Sequence, residues 1–157
     1  MKKHFKSLMT FTLALALALA VSLPAAAAVS ASDVNSAATD TAAYVQKTVT
    51  NPTVASIGGE WAVLGLARST AEVPNSYYEK YYNNVVKYVQ DKKGVLHSRK
   101  YTEYSRVALA LTAIGKDPQN VGGYNLLTPL GDYENTIYQG INGPIFALLA
   151  LDSKGYD

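Results

Sequence analysis

Cysteine is absent from the 157 residues. That excludes disulfides, thiolate chemistry and sulfur-ligated metals, and leaves the fold to its core alone or to neighbouring domains. Histidine is nearly absent: His4 lies in the N-terminal segment, so His97 stands alone in the rest. A zinc site of mixed Cys and His ligands cannot be assembled from that set, and neither a metal nor a cofactor is expected. Charge is sparse and balanced, with 14 basic and 12 acidic residues. Lys2, Lys3 and Lys6 belong to an export-type leader, so the remainder balances near −1 despite a whole-chain pI of 8.7. No basic patch or Arg–aromatic interleaving is present, which argues against nucleic acid as a partner. Phosphate-loop, G-x-G-x-x-G and G-x-S-x-G motifs are missing too. No segment alternates strictly with period two, so no strand is expected.

What is present begins with three lysines, then the uncharged run Leu13 to Val21, then Pro24 and the small residues Ala25 to Ala28. Residues 1–28 are therefore expected to be a signal peptide, and the mature protein secreted or displayed at the cell surface. An uncleaved anchor is the alternative, although Thr10, Thr12, Ser22 and Pro24 interrupt a span that would need about 20 apolar residues. Residues 29–40, rich in Ser, Ala, Asp and Asn, are expected to form a flexible leader. Residues 41–157 are expected to form one helical domain, long enough to hold a core.

Helical periodicity then dominates. A short helix is expected from Thr41 to Val49, stopped by Asn51-Pro52. Glu60 to Arg68 is apolar almost all round and reads as a buried helix. Ser76 and Glu79 suggest a capping box for a one-sided helix running to about Lys93. In that helix Tyr78, Tyr82, Val85, Val86 and Val89 form the core face, Tyr77 and Tyr81 are assigned to the surface, and Gly94 is expected at C′. Thr102 is the expected N-cap of a second apolar helix reaching Ile114 and stopped by Gly115 and Pro118. Gly122-Gly123 reads as a turn. A short mixed helix over Asp132–Gln139 precedes a third apolar helix, Ile145 to Leu151, with Pro144 at its start.

The three apolar stretches resemble one another. Aligning Leu66, Leu111 and Leu151 gives steps of 45 and 40 residues. One buried and one amphipathic helix per step is the signature of stacked helix pairs, closing either as an open superhelix or as a ring around a cavity. An irregular helical bundle is the alternative.

Gly59 to Arg68, Tyr101 to Arg106, Asn120 to Leu127 and Tyr138 to Asp152 resemble segments of exported bacterial proteins. Those proteins carry an α/α-toroid domain like that of terpenoid cyclases and protein prenyltransferases. The resemblance covers about Ser56 to Asp157. It implies an all-α fold of inner and outer helices, with about three pairs present and further domains possible in the full-length protein, such as a transcobalamin-like module or wall-anchoring repeats. A complete ring needs about twice this length, so a partial toroid is expected. The departures bear on function. No D-x-D-D acid motif occurs: Asp117-Pro118 and Asp132-Tyr133-Glu134 do not replace it, and the prenyltransferase zinc ligands are missing.

Candidate ligand contacts follow from chemistry and from the resemblance. Tyr101, Glu103, Tyr104 and Arg106 cluster at the N-terminal end of an apolar helix. There the helix dipole and a guanidinium favour an anionic or polar ligand, unless Glu103 and Arg106 merely pair on a wet face. Trp61, Tyr124, Tyr133 and Tyr138 can stack on a ring or fill helix interfaces. Gln139 joins Trp61, Tyr101, Glu103, Tyr104, Arg106, Tyr124 and Tyr138 in the candidate set. His97 has no partner in the sequence that makes it a general base. The expectation is a non-catalytic domain binding a small molecule or glycan between its inner helices. The alternatives are an enzyme of the terpenoid cyclase or polysaccharide lyase type, with its site incomplete in this chain, and a structural spacer.

Overall fold

A computed structural model describes residues 29–156. The expected signal peptide, residues 1–28, lies outside the described residues. Those described are all-helical, with six α-helices and a single isolated bridge between Val121 and Tyr124. From Asn35 onward they form one compact unit.

Helix α1 spans Ala31–Thr48. The segment expected to be a flexible leader is thus largely helical, starting ten residues before Thr41. Ser30 and Asp33 form a reciprocal cap: Asp33 N–H donates to Ser30 Oγ, and Ser30 N–H donates to the Asp33 carboxylate, both at 3.1 Å. Two otherwise unpaired amides are satisfied, and the alanines that follow are strong helix formers. The loop after α1 is tied down from α3 (Asn75–Asp91), where Asn84 Nδ2 donates to Pro52 O at 2.8 Å and Lys80 Nζ to Thr50 O at 3.1 Å.

A π-type turn, Ile57–Trp61, leads into α2, Ala62–Arg68. Gly59 there has φ −107° and ψ −105°, and a Cβ would overlap the Thr53 carbonyl. Only Val63 and Leu66 of α2 are buried, so it is half-buried and not enclosed all round as its sequence suggests.

Helix α3 begins after Pro74, and neither Ser76 nor Glu79 caps it; Glu79 instead meets Lys116 at 2.7 Å. Its inward stripe is Tyr81, Val85 and Val89. Tyr81 is 0 % exposed, which overturns its assignment to the surface. The spacing 81, 85, 89 is a clean i, i+4, i+8 row, whereas Tyr78 and Tyr82 flank it half-buried.

Helix α4, Thr102–Ala113, packs against both α2 and α6 (Asn142–Asp152), so the three apolar helices adjoin through α4. Between α4 and α6 the expected mixed helix shrinks to α5, Tyr133–Thr136, flanked by 3-10 turns. The core joins Val63, Tyr81, Val85, Val89, Tyr104, Val107, Leu111, Leu126 and Ala150.

Helices α3, α4 and α6 end alike. Gly94 N–H reaches Val89 O, Lys116 N–H reaches Leu111 O, and Tyr156 N–H reaches Leu151 O, each at 2.9 Å. Each is the long bond of a Schellman motif, with the left-handed residue just before the donor: Lys93 (φ 51°), Gly115 (φ 75°) and Gly155 (φ 63°). Gly94 is therefore C″ and Lys93 takes the C′ position expected for it. Leu111 and Leu151 hold the same place in this cap. Leu66 differs, since Ser69 caps its carbonyl through both N–H and Oγ.

Candidate functional site

The eight candidate residues do not converge on one site. Tyr101, Tyr104 and Gln139 meet at the start of α4. Gln139 Oε1 accepts from both Thr102 N–H and Thr102 Oγ1 at 3.1 Å, so Thr102 is the first helical residue and is itself capped from a segment 37 residues away. The Tyr104 hydroxyl accepts from Leu96 N–H at 3.0 Å and reaches Gly94 O at 3.5 Å, and its ring lies 5.4 Å from that of Tyr101. Burial pushes the Tyr104 phenol pKa up. Tyr124 lies over Gly94, where an added Cβ would strike its ring. The peptide groups of Tyr124 pair with those of Val121 around Gly122 (φ 59°) and Gly123 (φ 93°), the paired positive φ values of a type I′ turn. Tyr138 is exposed, with the Arg99 guanidinium 5.3 Å above its ring. His97 Nδ1 accepts from Arg99 and Lys100 N–H at 3.0 and 3.1 Å, which spends its lone pair on a turn. These contacts organise the chain around the start of α4.

Glu103 and Arg106 take part in a different arrangement. Glu103 is buried and forms no ion pair with Arg106, so the wet-face pair that stood as the alternative is not formed. Both carry charges that act on Glu60, which the sequence reading missed as a site residue. Glu60 is 1 % exposed, and its Oε1 accepts from Ala55 N–H at 2.7 Å, holding Ala55 at φ 57°. Desolvation raises the Glu60 pKa; Arg106 opposes the rise and Glu103 adds to it. Tyr81 stands beside it, its phenol pKa driven well above 10 by burial and by the Glu60 carboxylate. The two are close enough to interact, yet neither Glu60 Oε2 nor Tyr81 OH completes a hydrogen bond of good geometry. Tyr77 OH, Ser105 Oγ and Arg106 Nε are likewise buried without partners. A lone acid in the uncharged run Ile57 to Ala67 was the available signal, since a charge there is buried with everything around it.

A pH dependence follows. Because the folded pKa of Glu60 lies above its ordinary 4.5, folding retains a proton that the unfolded chain releases. The contribution of Glu60 to stability is complete below 4.5 and is lost as pH rises from there to the folded pKa. Glu60→Gln keeps the acceptor for Ala55 and removes the buried charge. It is expected to raise Tm by roughly 2 °C or more at pH 8 and to leave it unchanged at pH 4. Melts followed by circular dichroism at both values decide this; an equal or lower Tm at pH 8 contradicts it.

Trp61 belongs to a third place. Its ring meets Phe146 edge-on at 6.0 Å and lines a groove of about 400 Å³ between α1 and α2. Ala37, Ala38, Thr41, Ala42 and Val45 form one wall; Trp61, Ala62, Gly65, Leu66 and Ser69 form the other. The small side chains of Ala and Gly on both walls leave the space unfilled, and no charged side chain lines it. Among the described residues no group of three or more His, Cys, Asp or Glu is placed to hold a metal. No family model, no curated protein and no solved structure matches this chain.

Proposed function

We propose that the chain is an exported, non-catalytic binding domain of toroid-type helix pairs, and that its ligand is a small apolar molecule held between α1 and α2. The groove beside Trp61 carries this reading. Its volume falls in the range of small-molecule sites, and its lining is apolar apart from two hydroxyls. Both hydroxyls already donate to backbone carbonyls of their own helices: Thr41 to Ala37 at 2.7 Å and Ser69 to Leu66 at 2.8 Å. That chemistry suits an isoprenoid or acyl chain better than a glycan, whose hydroxyls need partners. The adjoining of the three apolar helices through α4 supports the helix-pair repeat. An enzyme reading would lean on the raised pKa of Glu60, but at 1 % exposure that carboxyl is out of reach without opening the packing around it.

The test is quenching of Trp61 fluorescence, the chain having a single tryptophan, by titration with farnesol and with a medium-chain fatty alcohol. Saturable quenching is expected. Gly65→Phe should abolish it, because a Cβ at Gly65 meets nothing within 4 Å and the ring fills the groove. The unliganded variant should melt within about 3 °C of the parent. Titration without saturation, or undiminished binding to Gly65→Phe, would overturn the proposal.

A further inference from the structure

Helix α6 is packed inside out. It turns Gly143, Ala147 and Ala150 toward the core, with Leu151 partly buried beside them, and leaves its other large aliphatics outside: Ile145 at 46 %, Leu148 at 61 % and Leu149 at 52 % exposure, with Ile141 just before the helix at 73 %. A helix at a protein–water boundary ordinarily does the reverse. The small residues allow close approach to α4, and the outward residues form a helical row, 141, 145, 148, 149, which Asp152 continues. From Gln139 to Leu151 there is no charged residue. A row this apolar matches homodimer interfaces, which are more apolar than those between unlike proteins.

The charges at its two ends identify the occupant. Exposed Asp152 closes the C-terminal end, and Arg99, stacked on Tyr138 three residues before Ile141, flanks the N-terminal end. We infer that the exposed face of α6 is the interface with a second copy of this chain, the two α6 helices crossing antiparallel about a two-fold axis. That arrangement brings Asp152 of each copy to the Arg99 end of the other, twice over, and opposes the helix dipoles favourably. Parallel pairing would set like charges together. Of the other exposed charges nearby, Lys154 follows the helix in the turn, and Lys100 adds to the positive charge at the Arg99 end. A hydrophobic small-molecule surface needs no such polarity at its ends.

Sedimentation equilibrium of the purified chain tests this, with a dimer expected at micromolar concentration. Leu148→Glu should weaken association at least about 100-fold, since each dimer loses two central anchors. Its Tm, extrapolated to low concentration, should stay within about 3 °C of the parent, because Leu148 leaves the core untouched. Asp152→Arg should weaken association by about tenfold, and Arg99→Asp combined with Asp152→Arg should restore it, which separates antiparallel docking from unspecific adhesion. A monomer at about 100 µM overturns the inference. So does association indifferent to Leu148→Glu, charge exchange that fails to restore binding, or a monomer that partitions onto phosphatidylcholine vesicles.

Discussion

Gly143→Ala is expected to destabilise the chain by about 3 kcal/mol or more, against the helix-propensity gain of about 1 kcal/mol that the same change gives in open helix. Gly143 is buried in the first turn of α6, where its Cα faces the end of α5. A Cβ there would overlap the carbonyl oxygen and carbon of Thr136. That carbonyl cannot swing aside freely. The Thr136 N–H is bonded to Asp132 O at 2.9 Å, Thr136 Oγ1 reaches Leu130 O at 3.5 Å, and the Gly143 N–H is tied to Gly140 O at 3.1 Å. Relief therefore means moving α6 off α4 or unwinding α5. The matched control is Gly65→Ala, also in helix but with open space where the Cβ would sit, which should gain roughly 0.5–1 kcal/mol. Urea midpoints of the two variants should move in opposite directions. If Gly143→Ala moves with Gly65→Ala, the close crossing of α5 and α6 is wrong.

Periodicity made α3, α4 and α6 legible, because their apolar rows are long and their stops are Gly or Pro. It placed the Gly122-Gly123 turn for the same local reason. It failed where two signals competed on one helix. Tyr77, Tyr78, Tyr81 and Tyr82 offer overlapping rows, and only the register shared with Val85 and Val89 selects Tyr81. It also failed at α1, where a composition that reads as a loose leader conceals a cap spanning four residues, Ser30 to Asp33. The Schellman end of α3 put a lysine at the left-handed position beside a glycine, a choice that neighbouring packing makes, since Tyr124 covers Gly94. The candidate site was least legible. Gln139 capping Thr102, and the charges of Glu103 and Arg106 acting on the buried Glu60, depend on approaches between segments that no spacing rule encodes. Four of the expected ligand contacts, Tyr101, Tyr104, Tyr124 and Gln139, hold local structure together. Trp61 alone lines the groove.

Tyr81 is where burial and ionisation meet, and two substitutions separate them. Tyr81→Ala removes a fully buried ring from between Val85 and the start of α2, and should cost about 3–5 kcal/mol. Tyr81→Phe retains the ring and removes a hydroxyl that has no completed hydrogen bond. At pH 7 it should be as stable as the parent or slightly more so, because an unsatisfied buried polar group carries a desolvation cost and returns nothing. The two should part further in alkali. The Tyr81 phenol pKa is raised well above 10, so the folded chain holds a proton that the unfolded chain releases. Its stabilising effect is complete below pH 10 and is lost as pH climbs toward the folded value. Tyr81→Phe should therefore lose less stability than the parent between pH 10 and 11. The remaining loss belongs to Tyr77, Tyr78, Tyr88 and Tyr104, whose pKa values burial also raises. Parallel alkaline melting curves for parent and Tyr81→Phe would mean that the hydroxyl reaches water, and Tyr81 would then not be packed against Glu60 in the interior.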